Sequence, residues 1–224
     1  MPNIKDNLTA LLTEIPSGVK LIVVSKMQPL MHIQEVYAAG QRRFGENRVG
    51  DLVAKQPVLP GDIEWHFIGH LQTNKVKLIA PFIHVIQSVD SLRLLREINK
   101  EAMSNDRMID CMLQLYIATE ETKFGLAFSE AKELLSSPGY RDLNNIRIVG
   151  VMGMATYTQD VSLVKKEFRM LKEYFRILLA EYFPLNPDFR EISMGMSGDY
   201  RIAVESGSTM VRIGNAIFKM KNEE

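Results

Sequence analysis

A single cysteine occurs among the 224 residues, so no internal disulfide can form and a reducing compartment is expected. That residue, Cys111, sits in the apolar run CMLQLYI and reads as a small buried hydrophobe rather than a nucleophile. No block of Lys or Arg occurs and the formal net charge is zero, which argues against nucleic acid or an anionic membrane as the main partner. No stretch is apolar for long enough to span a bilayer, and the opening MPNIKDNLTALLTEIPSG has no signal-peptide core; the cytoplasm is the expected location. Neither G-x-G-x-x-G nor a Walker A loop is found, which weakens dinucleotide and nucleoside-triphosphate readings. Metal is set aside as well. His66 and His70 are four apart, but WHFIGH reads as strand and turn, and there is no H-E-x-x-H and no Cys pair.

What is present is a regular alternation of strand and helix patterns. Ile4, Leu8, Leu11, Leu12 and Ile15 predict a leading helix stopped by Pro16 and Gly18. Strands are expected at 19–26, 42–47, 63–69, 81–88, 111–117, 146–154, 191–194 and 209–213. Between them, helices are expected at 29–39, 48–55, 73–80, 91–103 with Asp90 as cap, 128–136 closed by Pro138 and Gly139, a long one through Val164, Phe168, Leu171, Phe175, Leu178 and Tyr182, and 200–206. Eight strands in strict alternation predict a parallel sheet with right-handed crossovers. The expectation is α/β: one (β/α)8 TIM barrel domain over residues 1–224 with an extra N-terminal helix, at the short end of that fold's range. An open doubly wound sheet is the runner-up.

The stretch EISMGMSGDYRIAVESGSTMVRIGNAIF, from Glu191 to Phe218, reads as strand, small-residue turn and helix, twice over. In a barrel, the loops after the last two strands are the usual seat of a phosphate, which puts Ser197, Gly214 and Asn215 forward as anion ligands. GMSGD nearly matches a hydrolase elbow, but Ser197 ranks first as a phosphate ligand, then as a turn serine, and last as a nucleophile. Lys26 ends the first strand on the face of Ile22 and Val24, so an inward face would bring it to the C-terminal mouth as a partly desolvated, Schiff-base-forming amine; a solvated loop lysine is the plainer reading. Arg212, inside a late strand, needs either a carboxylate from a neighbouring strand or a ligand acceptor. Glu46 is expected to pair with Arg43 or another nearby cation, and Asn47 to donate to a ligand oxygen or simply to form a turn.

Taken together, VVSKMQP around Lys26, FGENRV from Phe44, WHFIGHLQTNK from Trp65, TKFGL from Thr122 and MGMSGDYRIAVESGSTMVRIGNAIF from Met194 make the chain resemble the pyridoxal-phosphate homeostasis family, the YggS/PROSC-type proteins. The resemblance spans nearly the whole chain. It implies a (β/α)8 domain like the N-terminal barrel of alanine racemase, carrying pyridoxal 5′-phosphate (PLP). By position, Lys26 is implied as the Schiff-base lysine, Ser197 with the backbone of Gly214 and Asn215 as the phosphate ligands, Arg212 as the group facing the pyridine nitrogen, and Asn47 as part of the pocket wall. Three positions depart from the family pattern: Tyr116 replaces a smaller polar residue, Asn215 a Thr or Ser, and Lys219 a Gly. An Arg against the ring nitrogen weakens the electron sink, and no second, β-rich catalytic domain is left over. The implied function is therefore a PLP carrier or buffer in vitamin B6 homeostasis, a monomer that meets apo PLP-dependent enzymes transiently. A small PLP-dependent amino-acid racemase is the alternative.

Overall fold

A computed structural model describes residues 3–119 and 125–219. The chain order is α1 (Ile4–Glu14), β1 (Lys20–Val24), α2 (Leu30–Ala38), β2 (Arg43–Glu46), α3 (Val49–Lys55), β3 (Glu64–Phe67), α4 (Val76–Ile79), β4 (Val85–Val89), α5 (Leu92–Ser104), β5 (Ile109–Gln114), α6 (Phe128–Ser136), α7 (Pro138–Arg141), β6 (Ile146–Met152), α8 (Val161–Tyr182), β7 (Glu191–Ser193), α9 (Tyr200–Glu205), β8 (Met210–Ile213) and α10 (Asn215–Phe218). The eight strands pair in sequence order and close into a barrel. All neighbours are parallel, and β8 returns to β1 with Leu21 opposite Val211 and Val23 opposite Ile213. The expected (β/α)8 architecture with its leading helix is thus what forms, and the open sheet is not.

Side-chain alternation sorts the strands into two layers. Leu21, Val23, Phe44, Phe67, Ile86, Val211 and Ile213 join the large cluster between sheet and helices. Ile22, Met112, Val149, Met152 and Met210 form a smaller cluster inside the barrel. Each fully buried large side chain contributes roughly 1.5–3 kcal/mol relative to exposure. The chain ends are tied together: α1 packs on α10, and Asn7 Nδ2 donates to the Ile217 carbonyl at 3.0 Å. No helix among the described residues is long and apolar enough to cross a membrane.

Several boundaries shift for identifiable reasons. The fourth strand begins at Val85, not Pro81, because Phe82 and Ile83 continue the helical turn by donating to the Ile79 carbonyl. The fifth runs 109–114 rather than 111–117, since Tyr116 N–H leaves the barrel ladder for the Leu126 carbonyl. The helix 128–136 ends where expected, before Pro138, which then opens the short α7, as its missing N–H allows in a first turn. Asp90 does not cap α5: Ser91 does, its hydroxyl accepting from Leu94 N at 3.2 Å. The Asp90 carboxylate lies instead 3.2 Å from His70 Nδ1. Of the sequence motifs, Thr122, Lys123 and Phe124 lie outside the described residues.

Candidate functional site

The C-terminal ends of β1, β7 and β8 converge on one rim. β1 stops at Val24, and the turn after it closes with Gln28 N–H donating to the Ser25 carbonyl at 3.1 Å, Met27 taking the left-handed region at φ 60°. The turn lifts Lys26 clear of the packed interior, so the side chain is exposed. Its place at the C-terminal mouth matches the parity argument from Ile22 and Val24. The expected partial desolvation does not occur, because the strand ends two residues early.

Below Lys26, the turn is pinned from the helix side. Glu46 is fully buried, and its Oε1 accepts from Ser25 Oγ at 2.6 Å and from Lys55 Nζ at 2.7 Å. Lys55 Nζ also donates to the Ser25 carbonyl at 2.8 Å. Glu46 therefore pairs with Lys55, not with Arg43, which reaches Glu64 across β2 and β3 at 2.9 Å. Alternation decides this: Gly45 faces the barrel interior, where an added Cβ would sit 3.0 Å from Ile22, so its neighbour Glu46 points outward to α3.

On the other side of β1, Gly214 lies so close that a Cβ there would meet the Val24 carbonyl oxygen at 2.7 Å. The loop after β7 reaches the same place, with Ser197 Oγ accepting from Ala216 N at 3.4 Å. The backbone N–H groups of Ser197, Gly198, Gly214 and Asn215 find no acceptor among the described residues. Unspent N–H donors beside a hydroxyl are the groups from which an anion cradle is built. The lysine rim and the cradle thus meet at the β1–β8 junction.

Arg212 points into the barrel beneath that rim and is buried. Among the described residues no carboxylate forms an ion pair with it. Nη1 donates to Ser193 Oγ at 2.6 Å and Nη2 to the Gly153 carbonyl at 3.0 Å. Burial pulls its pKa down to about 10, with Asp199 acting weakly in the opposite sense, so it stays cationic at neutral pH. Ser193 Oγ donates to Gln87 Oε1 at 2.7 Å, and Gln87 Nε2 lies 2.9 Å from His66 Nδ1. This chain crosses the barrel from β8 to β3. Sequence reasoning did not anticipate Ser193 or Gln87. The signal available was a polar residue at an inward position of two short strands, VIQSV and EIS.

Asn47 follows β2 on the same rim, where the next loop presses on it: a Cβ on Gly69 would lie 2.2 Å from the Asn47 carbonyl oxygen. Tyr116 stands just past β5. Cys111 is buried and burial pushes its thiol well up, in keeping with a packing role. No group of His, Cys, Asp and Glu among the described residues could hold a metal.

The model of a family described as alanine racemase, N-terminal domain, matches residues 1–222. A pyridoxal phosphate homeostasis protein of Aquifex aeolicus is 38% identical over 200 residues, covering 89% of this chain and 86% of the relative. One from Escherichia coli K12 is 32% identical over 225 residues, covering 97% and 94%. The solved structure of PipY from Synechococcus elongatus with PLP bound superimposes with a TM-score of 0.87 at 33% identity, covering 97% of this chain and 100% of that one. Alanine racemase from Bartonella henselae shares the fold at a TM-score of 0.73 and 16% identity, this chain covering 58% of that one.

Proposed function

The chain belongs to the alanine racemase N-terminal domain family, and on that premise we propose that it binds pyridoxal 5′-phosphate on Lys26 and serves intracellular PLP homeostasis as a carrier or buffer. The observation that carries this reading is the meeting, on one rim, of an exposed amine and a cradle of unspent N–H donors, with a buried Arg beneath them. PLP supplies an electrophilic aldehyde carbon and, when its ring nitrogen is protonated, a strong electron sink.

Each residue has a part that follows from its chemistry. Lys26 provides the amine that holds the aldehyde carbon covalently and reversibly. Ser197 Oγ and the N–H groups of Gly214 and Asn215 bind the phosphate, and the side chain of Asn215 is not needed for that. Arg212 faces the ring nitrogen. A guanidinium only donates, so it favours an unprotonated nitrogen and a weak sink. Holding without turnover is the result. Asn47 lines the wall. The relatives named for PLP homeostasis support the same role, as does the one solved with PLP bound. Transfer would be to apo PLP-dependent enzymes in the cytoplasm, from a monomer.

Borohydride reduction of the PLP-loaded chain, followed by peptide mass spectrometry, tests the assignment: the added mass is expected on Lys26 and is expected to vanish in Lys26→Ala. Label on another lysine, or binding that survives unchanged in the variant, defeats it. The carrier role is tested separately, by supplying the loaded chain to an apo PLP-dependent enzyme and following recovery of that enzyme's activity. Racemisation of free L-amino acids with kcat of about 1 s⁻¹ or more would favour an enzyme instead.

A further inference from the structure

At the amino-terminal mouth, the end of the barrel opposite Lys26, lies a cavity of about 320 Å³. Five cationic and four anionic side chains line it. The carboxylates are already engaged. Glu64 holds Arg43 at 2.9 Å, Glu191 holds Lys20 at 2.5 Å, and Asp110 and Asp188 share Arg147 at 2.8 and 3.1 Å. Two cations are left with little or no compensation. Arg107 donates to the Ala80 carbonyl at 2.6 Å and has no carboxylate partner among the described residues. Among the described residues Arg190 reaches no carboxylate but Glu191, at 3.7 Å, and that group already holds Lys20.

The floor of the cavity is His66, which is 3% exposed. The polar chain above it fixes where the His66 proton resides. A guanidinium cannot accept, so Ser193 Oγ must accept from Arg212 and give its single proton to Gln87 Oε1. The Gln87 amide is thereby oriented with Nε2–H toward His66 Nδ1, which must accept. A neutral His66 then carries its proton on Nε2, and that N–H finds no acceptor among the described residues. His84, also on the wall, is set the same way: its Nδ1 accepts from Trp65 N–H at 3.3 Å, which leaves Nε2 as the donor. Burial keeps His66 neutral, its pKa pushed down to about 3, with His84, Arg43 and Lys20 adding to the effect.

We propose that this cavity is a second binding site, for a small molecule bearing a carboxylate or phosphate group, whose oxygen accepts the Nε2–H of His66 and whose charge is met by Arg107 and Arg190. The pieces are complementary in kind. The His66 ring is 3% exposed and lines the cavity, so its N–H is open to an acceptor only from that side. Uncompensated guanidinium groups favour a planar or tetrahedral oxyanion. Val85, Val149 and Met210 beside His66 give the apolar part of a small ligand a surface to cover. The inference stands apart from the PLP reading, since it uses the opposite mouth and none of the rim residues.

The test is an NMR titration of the full chain carrying ¹⁵N-labelled histidine, with inorganic phosphate, acetate and, as the ionic-strength control, potassium chloride. The His66 Nε2–H resonance is expected to shift saturably with phosphate or acetate and not with chloride; the anion that saturates at lower concentration identifies the class. In Arg107→Gln the midpoint is expected to rise about tenfold, the loss typical of one charge-assisted hydrogen bond. Arg190→Gln, altering a more exposed side chain, provides the same comparison if the first variant folds poorly. A non-saturating drift common to all three salts, or midpoints unmoved in the folded variants, would overturn the site. PLP loading at Lys26 is measured in parallel, so failure of either reading is seen without the other.

Discussion

Lys55 Nζ lies 2.7 Å from the fully buried Glu46 Oε1, and both groups bind Ser25, the residue before Lys26. A buried ion pair of this kind adds little net stability against an apolar pair, but removing one partner strands a charge. Lys55→Met is expected to cost about 3–5 kcal/mol in denaturant unfolding. The double variant with Glu46→Met is expected to recover most of that, while still loosening the Lys26 turn and slowing capture of PLP.

Arg212→Lys keeps the charge and loses the fork. One ammonium cannot replace the two-pronged contact with Ser193 Oγ and the Gly153 carbonyl. PLP affinity, measured by equilibrium dialysis, is expected to fall about tenfold or more, with the absorption band of the bound cofactor displaced.

The cradle allows a paired test with glycines. Gly214→Ala drives a methyl against the Val24 carbonyl oxygen at 2.7 Å, whereas Gly198→Ala adds one where nothing lies within 4 Å. The first is expected to destabilise by about 1–3 kcal/mol and to raise the PLP off-rate. The second should leave stability nearly unchanged, which thermal unfolding of both variants will show.

His66 makes stability depend on pH. Its folded pKa of about 3 lies below the ordinary histidine value of 6.5, so below pH 6.5 the unfolded chain binds a proton that the native chain refuses. Stability from this group is complete above that pH and is lost progressively as pH falls toward 3. The loss reaches about 2 kcal/mol at pH 5. His84, also lowered by burial, acts in the same direction. His66→Gln retains an acceptor for Gln87 but does not titrate. Its denaturation midpoint is therefore expected to decline less between pH 7 and pH 5 than that of the parent chain.

The sequence pattern reveals the architecture because strand alternation and helix periodicity are local. Phe128–Ser136 forms as the helix its spacing predicts, and eight β/α units leave a closed barrel as the simplest arrangement. Partners across strands are a different matter. Nothing near Glu46 in sequence distinguishes Lys55 from Arg43; inward and outward facing decides it, and that depends on barrel register. Likewise Arg212 meets Ser193 and Gly153, which lie 19 and 59 residues away, partners that no neighbouring stretch of sequence points to. Lys26 was legible as a mouth residue from strand parity, yet its exposure depends on a strand that stops at Val24, a boundary no periodicity marks.

The closing of β8 onto β1 has a consequence for biosynthesis. The amine comes from the first strand's end and the cradle from the last two, and α10 is seated by Asn7 of the first helix. On the proposed assignment, a nascent chain with its final segment still inside the ribosome has Lys26 but not Ser197, Gly214 and Asn215 beside it. On the proposed site, capture of the cofactor therefore waits until translation has passed Phe218.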